Sequence, residues 1–207
     1  MRCVIIGSAP IAEPENLKQR IRSGDFILCA DGGVAAALRM GLPPRLIVGD
    51  FDSYSGSFPE KTEVIRLPVH KDDTDLMYSI KEALRRGFTE FLLLGSTGGR
   101  LDHTLASISS LQYLADHGAC GVLADEKNEV RLYQEGSFLI QGEQGALLSV
   151  FPWGTPFCNV TYEHLEYPLD HQNLYSSEPT GVSNCMLAGR VRIHVHKGPV
   201  LVVLSKD

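Results

Sequence analysis

The chain of 207 residues contains no apolar run approaching 18 residues, so nothing in it reads as a membrane-spanning helix. Its first apolar stretch, Cys3 to Gly7, is too short for a signal-peptide core. There is no C-x-x-C pair either. Five cysteines (Cys3, Cys29, Cys120, Cys158, Cys185) are odd in number and scattered, which speaks for a reducing compartment rather than a disulfide framework. A cytoplasmic protein is expected. A basic excess is also missing: 19 Lys and Arg stand against 25 Asp and Glu, a formal charge of -6 that argues against a nucleic-acid backbone as partner. A nucleotide stays open, because a metal ion offsets its charge. Tryptophan occurs once, at Trp153 in a Pro-bounded loop, where packing is its ordinary role. No internal repeat, Walker loop, G-x-G-x-x-G or G-x-S-x-G elbow is present.

What is present, over residues 1–124, is an alternation of apolar runs and helix-period segments. Val4–Gly7, Phe26–Ala30, Leu46–Gly49 and Phe91–Gly95 are apolar on both faces and predict buried strands, with Glu63–Leu67 a further one. Helices are expected over Glu15–Ser23, Val34–Met40, Asp75–Arg86 and Leu101–His117. In the third, Leu76, Met77, Ile80, Ala83 and Leu84 form a core-facing stripe. Gly41, Gly87 and Gly118 stand where helices close in a left-handed residue. This rhythm predicts an α/β domain with a mostly parallel sheet flanked by helices. Residues 125–207 change character: short strand-like runs at Val130–Tyr133, Ser137–Ile140, Ala146–Phe151, Arg190–Lys197 and Val200–Leu204 predict a smaller, sandwich-like all-β domain.

Ligands of an open parallel sheet bind outside the carboxyl ends of its strands. Three polar motifs fall there: Asp31-Gly32-Gly33, Gly49-Asp50-Phe51-Asp52-Ser53, and Gly95-Ser96-Thr97-Gly98-Gly99-Arg100. Asp72, Asp73 and Asp75 crowd the start of the third helix. Two like charges ~4 Å apart repel by about 4 kcal/mol at an effective dielectric near 20, so gathered carboxylates call for a cation. All-oxygen donors suit Mg²⁺, which takes one or two carboxylates and completes its shell with water and phosphate. The glycine-rich segment before the fourth helix offers backbone N–H groups to an anion, and Arg100 and Lys71 are phosphate candidates.

Plainer explanations stand beside each of these. Asp50 and Asp52 also suit a turn; Asp72, Asp73 and Asp75 suit a helix first turn; Lys71 and Arg100 suit solvent. His194 and His196, two apart on one strand face, could form a zinc pair, but they alternate with Val191, Ile193 and Val195 and fit a solvent-facing strand. Asp102-His103 lacks partner histidines at metal-ligand spacing.

Taken in order, Ala30-Asp31-Gly32-Gly33, Gly49-Asp50-Phe51-Asp52-Ser53, Asp72-Asp73-Thr74-Asp75 and Gly98-Gly99-Arg100-Leu101-Asp102-His103 resemble the signature motifs of thiamine pyrophosphokinases. The stretches Val160–Leu169 and Gly181-Val182-Ser183-Asn184 are similar to that family's thiamine-side motifs. The resemblance implies an α/β nucleotide-binding catalytic domain, a carboxy-terminal β-sandwich for thiamine and dimerisation, and a homodimer with sites at the subunit interface. It implies transfer of diphosphate from ATP to thiamine, giving AMP and thiamine diphosphate. Asp50, Asp52 and Asp75 would hold Mg²⁺, with Asp73 or Asp75 the candidate acceptor of the hydroxyl proton. Asp31, Gly32, Gly33, Lys71, Ser96, Thr97, Gly98, Gly99, Arg100, Asp102 and His103 would line ATP. Tyr167, Ser183 and Asn184 would approach thiamine, Tyr167 as an aromatic face for the cationic thiazolium. Two positions depart from the family pattern, Glu166 for its Lys and Cys185 for its Glu. A Mg²⁺-dependent nucleotide hydrolase and a non-catalytic nucleotide sensor are the alternative readings of the same rim.

Overall fold

The computed structural model of the protein describes residues 1–52, 54 and 56–206. It divides into two compact units, Met1–Glu126 and Lys127–Asp207.

The first unit is built from β1 (Arg2–Ile6), α1 (Pro14–Lys18), β2 (Phe26–Ala30), α2 (Gly33–Arg39), β3 (Leu46–Gly49), β4 (Glu63–Arg66), α3 (Asp75–Arg85), β5 (Glu90–Leu94), α4 (Leu101–Asp116) and β6 (Cys120–Ala124). Its six strands pair in parallel, in the order β6-β5-β1-β2-β3-β4. β1, β2, β3 and β5 are buried on both faces, as continuous apolar runs require. β4 carries exposed Glu63 and Arg66, and charge on an outer strand blunts its open edge. The chain runs outward from β1 to β4, returns to β5 on the other side of β1, and so reverses the strand order between β1 and β5. That reversal opens the crevice in which such sheets hold ligands.

Local chemistry sets the helix ends. Thr74 caps α3, its hydroxyl accepting from the Met77 N–H at 3.2 Å, and Gly87 closes it at φ +86°. Gly41 and Gly118 close α2 and α4 in the same left-handed region. α1 stops at Lys18, five residues short of the expected Ser23. Arg2 is the reason: its guanidinium donates to the Arg20 carbonyl at 2.7 Å and binds Asp25, while Asp25 accepts from the Arg22 N–H at 2.8 Å. These bonds hold residues 20–25 as a turn. β6 was not anticipated, because Gly121 interrupts its apolar run; there a Cβ would meet Leu114 of α4 at 2.6 Å.

The second unit is all-β, with β7 (Asn128–Tyr133), β8 (Gly136–Gln141), β9 (Leu147–Pro152), β10 (Phe157–Glu163), β11 (Leu169–Tyr175), β12 (Asn184–Cys185), β13 (Arg190–Lys197) and β14 (Val200–Ser205). One antiparallel sheet runs β12-β9-β14-β7, the other β11-β10-β13-β8. Between them lies a core that includes Leu148, Val150, Val160, Val191, Ile193 and Val202. On β13 the inward residues are Val191, Ile193 and Val195; the rings of His194 and His196 stack outside with His171. All five cysteines are free. Among the described residues no helix is long and apolar enough to cross a membrane.

Candidate active site

The crevice at the β1/β5 reversal has a volume of about 150 Å³ and is floored by glycines. Gly7, just past β1, donates its N–H to the Leu94 carbonyl at 2.8 Å, and a Cβ on it would lie 2.5 Å from the Gly95 oxygen. Gly95 follows β5 at φ +59°, with room for a Cβ only 2.7 Å from the Gly7 oxygen. Each glycine thus admits the other's backbone. Gly33 opens α2 so close to β1 that a Cβ would fall 1.9 Å from the Ile6 oxygen. The Gly7-Ser8-Ala9 segment lines the crevice and was not picked out from sequence, although a small-residue run at the carboxyl end of a buried strand is the same signal that marked the other rims.

The acidic residues gather beside this floor. Asp31 directly follows β2 in the left-handed region at φ +47°, rare for a residue with a side chain, and Phe51 follows Asp50 at φ +59°. Asp31 and Asp75 both line the crevice. The Lys71 ammonium lies 2.5 Å from Asp50 Oδ2 and 2.8 Å from Asp75 Oδ1, drawing the loop after β3 and the first turn of α3 to one point. Its hydrogen bond holds the Asp50 carboxyl below the usual carboxylate range. Burial pushes Asp75 up, against the lowering pull of Lys71. Burial disfavours the charge on Lys71, but its two carboxylate partners outweigh that and keep its pKa raised.

Other predicted residues are placed differently. Asp52 is exposed and sends its N–H back to Asp50 Oδ1 at 3.3 Å; Ser53 of the same motif lies outside the described residues. Asp73 pairs with Lys81. Arg100 and Asp102 pair with each other at the start of α4, both well exposed, and Asp102 also accepts from the His103 N–H at 2.9 Å. His103 lines the crevice. Ser96 bonds the Leu94 carbonyl, and the Thr97 hydroxyl donates to Asp125 at 2.8 Å. Gly98 and Gly99 adopt φ +76° and +88° and lead into α4, whose first N–H groups have no helical acceptor. Gly32 is the N-cap residue of α2.

In the second unit, Tyr167 is 65% exposed, Ser183 is exposed at φ +57°, and Asn184 is buried. The Ser183 N–H donates to Ser149 Oγ at 3.0 Å.

Residues 17–122 match the family model described as the catalytic domain of thiamin pyrophosphokinase, and residues 135–200 match the model of its vitamin B1 binding domain. The chain belongs to the thiamine pyrophosphokinase family. It is 26% identical to the thiamine pyrophosphokinase of Bacillus subtilis over 183 residues, 86% of each chain. A crystal structure of a thiamin pyrophosphokinase family protein from Enterococcus faecalis superposes with a TM-score of 0.83 at 29% identity, covering 100% of both chains. The crystal structure of the Bacillus subtilis enzyme gives a TM-score of 0.88 at 23% identity, again over 100% of both chains, and shows the same fold.

The donor set fits the divalent cation that phosphate transfer calls for. Two half-buried carboxylates from separate segments, Asp50 and Asp75, already face one positive charge, the Lys71 ammonium, at 2.5 and 2.8 Å. Among the described residues, no three His, Cys, Asp or Glu side chains are arranged around a common metal position. Asp50 and Asp75 are therefore the pair brought together, with Asp52 beside them.

Proposed function

We propose that the protein transfers the diphosphate group of ATP to the hydroxyl of thiamine, with AMP as the leaving group, on the rim of the first unit. The acceptor oxygen attacks the β-phosphorus; the bond from that phosphorus to the oxygen of the AMP portion breaks, and the hydroxyl proton is released. The observation that carries the reading is the crevice at the β1/β5 reversal, where Asp31, Asp75 and the glycine-rich entry to α4 meet, in a chain both of whose halves match the family models.

A phosphate-bound Mg²⁺ would neutralise phosphate oxygens, and Asp50 and Asp75 are the residues that would hold it, with Asp52 within reach of the same loop. Lys71 and Arg100 offset the remaining phosphate charge, and the amino end of α4 turns its free N–H groups toward an anion. Such transfers depend on positioning and charge neutralisation more than on covalent chemistry. Tyr167 offers its exposed ring to the thiazolium, and Ser183 directly precedes Asn184, whose side chain bonds the Tyr167 backbone. Residues 1–124 would carry nucleotide chemistry and 125–207 thiamine binding and dimerisation, in a cytoplasmic homodimer; sedimentation at twice the 22.7 kDa chain mass tests the assembly.

Mass spectrometry of the products formed from ATP, Mg²⁺ and thiamine tests the reaction. Thiamine diphosphate and AMP in equal amounts are expected. AMP or ADP released at the same rate without thiamine would instead support a hydrolase.

A further inference from the structure

Residues 164–167 run antiparallel to 184–187. Leu187 donates to the His164 carbonyl at 3.0 Å, Glu166 donates to the Cys185 carbonyl at 3.0 Å, and Leu165 bridges Met186. At the next step toward Tyr167 the main chain of Asn184 faces Leu148 of β9 instead. The side chain of Asn184 takes over. Its Oδ1 accepts from the Tyr167 N–H at 3.0 Å, and its Nδ2 donates to the Tyr167 carbonyl at 2.8 Å. One buried amide therefore makes both bonds that a paired strand residue would make, and Asn184 is only 8% exposed.

We infer that Asn184 is a positioning residue, which fixes the backbone of Tyr167 so that its exposed ring meets a planar cationic heteroaromatic acceptor already oriented. Both its amide donor and its amide acceptor face main-chain atoms, which makes it a support for the platform rather than a direct ligand. Pro168 works in the same sense, confining Tyr167 to the extended region. A ring whose backbone is held on both polar sides loses little freedom on binding, and that preorganisation appears in affinity for the acceptor. The inference rests on the reading of Tyr167 as the thiamine-facing residue.

The test combines kinetics with a measurement that needs no substrate. Asn184→Ala is expected to raise the thiamine KM about tenfold, with kcat and the ATP KM unchanged within about twofold. In Tyr167→Ala, the added Asn184→Ala is expected to change the thiamine KM no further, since the two act through one ring. Asn184→Asp preserves volume but sets a carboxylate oxygen against the Tyr167 carbonyl, so it also raises KM; a space-filling role would leave Asp tolerated. Independently, amide hydrogen exchange at Tyr167 is expected to accelerate in Asn184→Ala. Unchanged Tyr167 protection, or single-variant KM effects that multiply, would overturn the inference. Faster exchange at Tyr167 with no KM effect from Tyr167→Ala would keep the amide clamp but sink Tyr167 as the thiamine face.

Discussion

Lys71 reaches Asp50 at 2.5 Å across 21 residues of chain, and the same ammonium lies 2.8 Å from Asp75. The loop after β3 and the first turn of α3 are thus held by one cation at the point where phosphate is expected to sit. In the proposed reaction that ammonium has two neighbours to serve, the carboxylates and the phosphate oxygens. Lys71→Met removes it and leaves two half-buried carboxylates facing each other. The expected result is a loss of roughly 100-fold in kcat/KM for ATP, with the thiamine KM changed little, measured by steady-state kinetics at saturating Mg²⁺. A loss confined to the thiamine KM would show that Lys71 does not act on the nucleotide side.

Glu82 links the stability of the first unit to pH. Arg85, then Arg86, hold its carboxyl down from 4.5 to about 2, and Arg86 continues to Glu63 on β4 at 2.6 Å. A carboxyl whose folded pKa lies below its unfolded value stabilises the fold fully above the unfolded pKa and loses that contribution as pH falls through the folded one. The window is therefore pH 4.5 down to about 2. Thermal melts are expected to fall steeply there in the wild type. Glu82→Gln is expected to be less stable by about 1–2 kcal/mol at pH 7 and to show a shallower decline in acid. Parallel acid limbs for the two proteins would contradict this.

The parallel sheet was legible because its strands are apolar throughout: Phe26–Ala30 and Leu46–Gly49 are observed with the bounds expected. The rim motifs were legible because they sit where those runs end. Several features were hidden for physical reasons. β10 alternates as the rule demands, but its inward residues are Cys158, Val160 and Tyr162, two of them polar-tipped. β11 buries Leu174 alone, leaves Leu169 half-buried, and turns its register at a bulge, with His171 at φ +47°. The partners of Asp73 and Thr97 were also unreadable: Lys81 and Asp125 lie 8 and 28 residues away, and only the fold brings them close.

Tyr162 points its hydroxyl into the sandwich core at 4% exposure, and that oxygen has no hydrogen-bond partner among the described residues. Burial drives its pKa upward, with Cys158 adding to the effect. A buried hydroxyl without a partner carries a desolvation cost that the aromatic ring must offset. Tyr162→Phe keeps the ring and removes the cost. It is expected to unfold in urea at the same or a higher midpoint, a gain of up to ~1 kcal/mol. A clear loss of stability would show that the hydroxyl is satisfied in solution.

Gly33 gives the sharpest test of how the crevice is built. It opens α2 at φ within the ordinary range for any residue, so left-handed strain is not the issue; the obstacle is the Ile6 oxygen, 1.9 Å from where a Cβ would stand, with the Gly7 oxygen at 2.9 Å. Both are backbone atoms at the end of a central strand, and neither has a rotamer to change. Gly33→Ala must therefore push α2 away from β1, and with it Asp31 and the crevice floor. The expected cost is more than ~3 kcal/mol, seen as a lowered denaturation midpoint together with lost ATP binding by calorimetry. Gly24, whose Cβ would meet nothing within 4 Å, supplies the contrast. Its φ of +93° penalises Ala only through the backbone, so Gly24→Ala is expected to cost about 1–2 kcal/mol and to leave ATP binding intact. If Gly33→Ala proved as mild as Gly24→Ala, the close approach of α2 to β1 would not be what holds the rim together.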